Sequence, residues 1–289
     1  MKLGRIQFED GIKPAVSGGF WRTFGRNWSR LISCNALFLI CNIISMFIAF
    51  FMVLTMFPFL FKIFLFENFK DFLVSNGMFT LEEATDEAVN SIYYLVSLIC
   101  EMSLVGFVLI INGPIQCGIC YYMRNMITGD ASFKAVFKKG VKENWKKGLG
   151  ASIVSLLVTV ILIFNIGYYK NVSSGTVTLF VQGFFIWCLV FWSCLQLYVY
   201  PLIACTKLSL KDVYRNAALF FLKKFFSTLG IFLIQMVLFF GLPFVLIFLV
   251  SQVGYAIAML FYILFSFGFV IFLGTYQSWK LIQKYVKEQ

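Results

Sequence analysis

Long stretches without charged residues alternate along the chain with short basic segments. The apolar runs cover positions 31–61, 88–169, 171–206 and 225–279, and a basic stretch at 124–147 divides the second of them. Crossing about 30 Å of hydrocarbon takes roughly 20 helical residues, so each run holds at least one membrane span. The last run has 55 residues. As one straight helix it would be roughly 80 Å long, so it has to fold back.

The pattern predicts an all-α, polytopic membrane protein with a single membrane domain over 1–289. The runs are continuously apolar and rich in Phe, Leu and Ile, which is typical of spanning helices. We place the fold-back of the last run at 251–254, its polar interruption. The alternative position is 241–243, where Gly-Leu-Pro can break a helix. The six expected spans are 31–58, 92–123, 149–168, 177–205, 226–250 and 255–278.

Basic residues fall almost entirely on one side of these spans. That side holds six Lys or Arg in 1–30, seven in 124–147, five in 207–224 and three in 280–287, out of 24 in the chain. The other side holds Lys62, Lys70 and Lys170, and its first loop, 67–90, carries six acidic residues. By the positive-inside rule, both termini are expected in the cytoplasm of a cell-membrane protein.

The basic segments also form a repeat. Each outward-going span is preceded by a basic, aromatic segment that can form an amphipathic helix at the membrane surface. We therefore divide the chain into three units, 1–123, 124–206 and 207–289, each a cytoplasmic amphipathic helix followed by a membrane hairpin. Ser132 and Ser209 are the expected N-caps of the second and third amphipathic helices.

Two of the prolines within the predicted spans, Pro114 and Pro201, are expected to kink their helices. Asn112, Gly113 and Pro114 fall near the middle of the second span, where proline removes a backbone hydrogen bond and kinks a helix. Pro201 has the same effect near the cytoplasmic end of the fourth span. A packed kink is the commoner outcome, and a ligand site at the freed carbonyls is the alternative. Glu101 is expected to be an interfacial charge near the outer membrane surface.

The composition excludes most enzyme classes. The chain has no histidine, and we find no phosphate-binding Gly-rich loop, no metal-ligand cluster and no pair of carboxylates beside a nucleophile. We therefore expect no catalytic residue, no cofactor and no metal. The net charge of +11 follows from the membrane topology and favours anionic lipid over nucleic acid.

A further set of residues is expected at the cytoplasmic surface as partner or lipid contacts. They are aromatic, basic or amide side chains in or beside the amphipathic segments. The set comprises Trp21, Trp28, Tyr121, Arg124, Trp145, Lys211, Arg215 and Asn216.

Two motifs in this order resemble the YesL family of bacterial membrane proteins, a domain of unknown function. The first is Gly113-Pro114 followed by Tyr121-Tyr122-Met123-Arg124, Gly129-Asp130, Phe137 and Glu143-Asn144-Trp145. The second is Tyr200-Pro201-Leu202 with Leu208-Ser209-Leu210-Lys211-Asp212-Val213 and Arg215-Asn216-Ala217. The resemblance extends over essentially the whole chain.

The resemblance implies an association with carbohydrate ABC importers, beside which members of this family are typically encoded. The leading hypothesis is therefore a non-catalytic accessory subunit that contacts the permease subunits of such an importer. One alternative is a stand-alone transporter or channel for a small solute, although the polar residues of the spans, Asn42, Asn112, Gln116, Gln196 and Gln235, are scattered along the sequence. Another alternative is a membrane signalling partner of a sugar-responsive two-component system.

Overall fold

The part of the chain that the structure describes is almost entirely helical. The computed structural model describes residues 19–107, 109, 111–129, 133–172 and 175–287. Its helices are α1 (Phe20–Cys41), α2 (Ile43–Phe51), α3 (Phe57–Leu60), α4 (Phe66–Ser75), α5 (Asp86–Phe107), α6 (Gly113–Thr128), α7 (Phe133–Val172), α8 (Thr176–Cys205), α9 (Leu210–Lys223), α10 (Phe225–Met236), α11 (Leu242–Phe261) and α12 (Phe267–Lys287). Short π-helical segments join α2 to α3, α10 to α11 and α11 to α12.

Six helical stretches of the described residues are long and apolar enough to cross a membrane. This confirms the predicted number of spans and the all-α class. They are Ile43–Leu60, Asp86–Gly106, Phe133–Asn171, Thr176–Cys205, Phe225–Leu246 and Val253–Lys284.

The first and third spans differ from prediction at the ends next to the basic segments. The basic segment that precedes the first span lies in α1, which continues to Cys41 and is separated from α2 by Asn42 alone. The segment that precedes the third span is part of α7, an unbroken helix of 40 residues. Neither junction contains a strong helix breaker, so the helix continues through it.

The third basic segment is a separate helix, as predicted. Ser209 caps α9, because its side-chain oxygen accepts a hydrogen bond from the Asp212 amide at 3.2 Å. Lys224, whose backbone leaves the helical region at φ −125° and ψ 34°, separates α9 from α10. The other predicted cap, Ser132, lies outside the described residues.

The second span is broken rather than kinked. A continuous helix over 92–123 was expected, but α5 ends at Phe107 and α6 begins at Gly113. Pro114 occupies the first turn of α6, where its missing N–H removes no helical hydrogen bond. The proline therefore starts a new helix instead of bending an existing one.

The last apolar run folds back as expected, but its backbone stays helical at the predicted turn. The Tyr262 hydroxyl donates to the Phe239 carbonyl at 2.5 Å. In a straight helix these residues would be roughly 35 Å apart, so the chain reverses between them. Positions 251–254 nevertheless lie within α11, and 241–243 lie where the preceding π-helical segment meets it.

Most buried side chains of the main core come from α6, α8 and α12, and further ones come from α1, α7 and α9. The Gly268 amide donates to the Asn35 side-chain oxygen at 2.7 Å, and the Asn35 amide donates to the Tyr262 and Ile263 carbonyls at 2.9 and 2.6 Å. These bonds fix α1 against the π-helical segment and the start of α12. Around them the fully buried side chains include Cys34, Tyr122, Tyr200 and Phe272.

Candidate functional site

Residues of five helices line a small, partly open cavity in the bundle. Its volume is about 40 Å³. Gly106 of α5, Gln235 of α10 and three residues of α12 form part of the wall. The rest comes from Gln116 and Cys120 on α6, one turn apart, and from a face of α8 that carries Ser193, Gln196, Leu197 and Pro201.

Three buried glutamines dominate the polar lining. Gln116, Gln196 and Gln235 are 5%, 4% and 3% exposed. Within the described residues, neither amide atom of Gln196 has a hydrogen-bond partner, and the side-chain oxygens of Gln116 and Gln235 have none. Leaving a buried polar group unpaired costs about 1–3 kcal/mol, so these side chains lower the stability of the fold unless something else binds them.

A backbone carbonyl adds to this polar lining. Pro201 has no N–H to donate to Leu197 four residues earlier in α8, so the Leu197 carbonyl loses its helical partner. The hydroxyl of Ser278 on α12 lies 3.4 Å from that carbonyl oxygen, a long hydrogen bond. The predicted kink residue Pro201 therefore lies in the wall of the cavity beside Gln196.

Two glycines keep the surrounding helices close. A methyl group at Gly106 would lie 2.8 Å from the ring of Phe239, and one at Gly274 would lie 3.2 Å from the Leu197 carbonyl oxygen. The cavity walls are therefore set by one contact with an aromatic ring and one with the backbone, and larger residues at either glycine would push the helices apart.

Three of the five polar residues named in the spans lie in the wall of one cavity. Gln116, Gln196 and Gln235 come together, although they are far apart in sequence. The remaining two lie elsewhere: Asn42 donates to the Phe38 carbonyl at 2.9 Å, and Asn112 donates to the Cys41 carbonyl at 2.7 Å. The sequence contains one local sign of the cavity wall on α8: Gln196 lies five residues before Pro201 in an apolar helix.

Polar contacts within the chain hold the break between α5 and α6. The amide of Gly113 donates to the Ser152 hydroxyl at 2.7 Å, and that hydroxyl donates to the Gly148 carbonyl at 3.0 Å. The Asn112 side-chain amide donates to the carbonyl of Cys41, the last residue of α1, and so links the break to that helix. Gly113, Pro114 and Asn112 thus have structural partners at this junction.

The predicted charged and aromatic residues near α6 lie inside the fold. Glu101 is 8% exposed in α5. Tyr121 is 3% exposed, and the Arg124 guanidinium carbon lies 4.3 Å from the centre of its ring and 5.6 Å from that of Trp279. Tyr121 is thus covered by the chain itself, and Arg124 packs against two rings of the bundle.

The other predicted contact residues divide into exposed and buried groups. Trp21, Trp28 and Trp145 are 73%, 59% and 50% exposed, and Lys211 and Arg215 are exposed on α9. Asn216 is buried, and its side-chain amide donates to the Asp212 carbonyl at 2.8 Å within α9. Of the residues expected to meet a partner or lipid, Tyr121 and Asn216 are covered by the chain itself.

The residues around the cavity offer few groups for acid–base chemistry. Apart from the Cys120 thiol, its lining contains no ionisable side chain. In the part of the chain that the structure describes, no three His, Cys, Asp or Glu residues are grouped in a way that could hold a metal ion. The amides, the hydroxyl and the carbonyl can bind a hydrogen-bonding molecule but offer no acid–base pair.

The comparison with known proteins gives a match for the central part of the chain. Residues 88–166 match a family described as "Protein of unknown function, DUF624". The match contains most of α5, the break, Gln116 and most of α7. No curated protein and no solved structure matches the chain. The sequence is thus similar to this family over the stretch that carries the broken helix and one of the three cavity glutamines.

Proposed function

We propose that the chain is a non-catalytic accessory subunit that packs beside the permease subunits of a carbohydrate ABC importer in the bacterial cell membrane. Two lines support this. The first is that the motifs around Gly113-Pro114 and Tyr200-Pro201 resemble the YesL family, whose members are typically encoded beside carbohydrate ABC importers. The second line, which carries the proposal, is the uncovered face of α8.

The outer half of α8 presents a continuous apolar face to its surroundings. Val177, Phe180, Phe184 and Trp187 are 78%, 79%, 58% and 64% exposed and follow one another at helical spacing. Of the six candidate spans, the one in α8 is the least covered by the rest of the chain. This surface is therefore open to lipid or to another membrane subunit.

Shape makes this face suited to a protein partner. Helices in lipid gain little from the hydrophobic effect and associate where small residues allow close packing. Gly183 lies between Phe180 and Trp187, and a methyl group at its position would meet no atom within 4 Å. The large neighbours and the glycine form a notch into which a side chain of a permease helix can pack.

The proposed orientation follows from the charges. Both termini lie in the cytoplasm, and the six spans form three hairpins, with the basic segments of α1, α7 and α9 at the cytoplasmic surface. Trp21, Trp28 and Trp145 anchor that surface in phospholipid headgroups. Lys211 and Arg215, which are exposed, are available to lipid phosphates or to an acidic surface of a partner.

The proposal is tested by affinity purification of the tagged chain from its native membrane in mild detergent, followed by mass spectrometry. Permease subunits recovered in near-equal amount would support it. Recovery of the chain alone would contradict a stable complex. Recovery of a sensor kinase without the permease would replace the proposal with the signalling role.

A second candidate function is a pathway for a small solute through the bundle. The convergence of Gln116, Gln196 and Gln235 favours it, because intramembrane polar groups commonly mark solute routes. Purified chain in proteoliposomes would then raise the flux of a small neutral solute above that of empty vesicles. Flux equal to that of empty vesicles would exclude this candidate.

A further inference from the structure

We infer that the groove between the starts of α1 and α10 and the end of α12 binds the phosphate headgroup of an anionic phospholipid. The inference goes beyond the accessory role, since the groove belongs to the chain itself and needs no partner subunit. It rests on three lysines and an apolar wall that line one groove at the ends of two membrane spans.

The groove is formed by parts of the chain that are far apart in sequence. Phe20 of α1, Lys224 immediately before α10 and the last turns of α12 contribute to its lining. Lys224 directly precedes the candidate span Phe225–Leu246, and the candidate span Val253–Lys284 ends in the groove. The groove therefore lies where two spans end, which is the depth of the phospholipid headgroups.

Three lysines supply the charge for an anion. Lys224, Lys280 and Lys284 line the groove and are exposed. None of the described residues that line it is acidic. Lys280 and Lys284 are one turn apart on α12, and like charges at this spacing destabilise a helix. A phosphate group between them offsets that repulsion, and lysine is a common ligand of phosphate in proteins.

The apolar part of the wall favours a lipid over a free phosphate ion. Phe20, Leu273 and Leu281 line the groove, together with Tyr276, whose ring centre lies 5.3 Å from that of Phe20. A phosphate ion would contact the lysines and leave this surface in water. A phospholipid can place its phosphate against the lysines and its glycerol and first acyl carbons against the rings, as in other basic pockets between membrane helices.

The groove is open and large enough for a headgroup. Its volume is about 430 Å³, whereas one water molecule needs roughly 10–15 Å³. Because the groove is not enclosed, the acyl chains can continue from it along the outside of the bundle. An open groove with a cationic and an apolar part thus fits a molecule that is itself charged at one end and apolar at the other.

Lipid binding is measured by native mass spectrometry of the full chain, purified in mild detergent and titrated with phosphatidylglycerol or with phosphatidylcholine. We expect one phosphatidylglycerol per chain to bind about tenfold more tightly than phosphatidylcholine, whose choline cation cancels the phosphate charge. Inorganic phosphate in roughly hundredfold excess should leave the lipid bound, because it makes no use of the apolar wall.

Two double variants separate this groove from the basic surface in general. Lys280→Gln with Lys284→Gln should weaken phosphatidylglycerol binding about tenfold or more, because two of the three cations are removed. Lys138→Gln with Lys142→Gln is the matched control, since these lysines are also exposed and four residues apart but lie on α7, outside the groove. It should bind the lipid as the unmodified chain does. Both variants change exposed side chains and should unfold at the temperature of the unmodified chain.

Three results would overturn the inference. Phosphatidylglycerol that binds no more tightly than phosphatidylcholine would show that the groove does not select an anionic headgroup. Equal binding by the two double variants would leave only a general attraction between the basic surface and anionic lipid. Displacement of the lipid by inorganic phosphate would replace the lipid site with a site for the free phosphate ion.

Discussion

Gly113 and Gly148 bring the backbones of α6 and α7 into direct contact. A methyl group at Gly113 would lie 2.1 Å from the Gly148 carbonyl oxygen, and one at Gly148 would lie 2.8 Å from the Gly113 carbonyl carbon. Both obstacles are backbone atoms, which cannot rotate away. The close approach lets the Ser152 hydroxyl reach the first amide of α6, and so it stabilises the break between α5 and α6.

Gly148→Ala is therefore expected to destabilise the chain. Overpacking costs about 1–3 kcal/mol, and the helix propensity of alanine returns up to about 1 kcal/mol of that. Thermal unfolding of the purified protein in detergent should show a lower midpoint. Gly183→Ala is the control, since a methyl group there meets no atom within 4 Å. Equal midpoints for the two variants would contradict the contact.

Asn35 gives a second test of the core. Its side chain accepts one backbone hydrogen bond and donates two across the contact between α1 and the π-helical segment before α12. Asn35→Ala should lower the free energy of unfolding by about 2 kcal/mol, because these partners lose their bonds in a buried site. Asn165→Ala is the control: Asn165 is on α7 and donates to the Ile161 carbonyl on an exposed face. A change below about 0.5 kcal/mol at Asn35 would contradict its bridging role.

The loop between α4 and α5 should respond to acid through Glu83. The Thr80 amide and hydroxyl both donate to the Glu83 carboxylate, at 3.0 and 2.8 Å, and these bonds hold the pKa of Glu83 below its ordinary value. The contribution of Glu83 to loop order is therefore complete above the ordinary pKa of about 4.5 and is lost as the pH falls through the lowered one.

Hydrogen exchange of the loop amides at a series of pH values checks this. Protection of the Thr80–Glu83 turn should fall below pH 4.5 in the unmodified chain, while Glu83→Gln should show weak protection at every pH. Glu82→Gln is the matched neighbour and should behave as the unmodified chain does. Unchanged protection in Glu83→Gln would show that the carboxylate does not order the turn.

The proposed orientation is checked by labelling introduced cysteines in intact cells with a membrane-impermeant maleimide. Glu87→Cys, in the predicted outside loop, should react before the cells are opened. Lys211→Cys, on α9, should react only after permeabilisation. The reverse pattern would invert the topology that the basic residues indicate.

The sequence predicts some parts of this molecule and not others, for physical reasons. The length of the uncharged runs is enough to identify six spans, and Ser209 is enough to locate the start of α9, because both depend on local chemistry. Pro114 identifies an interruption, but whether a proline bends a helix or starts a new one depends on the partners of Asn112 and Gly113. Those partners, Cys41 and Ser152, are far away in the sequence.

The cavity, too, cannot be predicted from the local sequence. Gln116, Gln196 and Gln235 are each visible as polar residues in apolar helices, but nothing local states that they face one another. Their convergence depends on how α6, α8 and α10 pack, and so on distant glycines such as Gly274. The spacing of Gln196 and Pro201 on α8 was the only local hint of a polar wall.

The accessory role is tested most directly by the amount of permease subunit that co-purifies with two matched variants, Gly183→Leu and Gly230→Leu. Both glycines lie in apolar helices, and neither has an atom within 4 Å of an added methyl group. Filling the notch on α8 with Gly183→Leu should reduce the recovered permease at least tenfold, while Gly230→Leu on α10 should leave it unchanged. Permease recovery that is equal in Gly183→Leu, Gly230→Leu and the unmodified chain would contradict docking on α8.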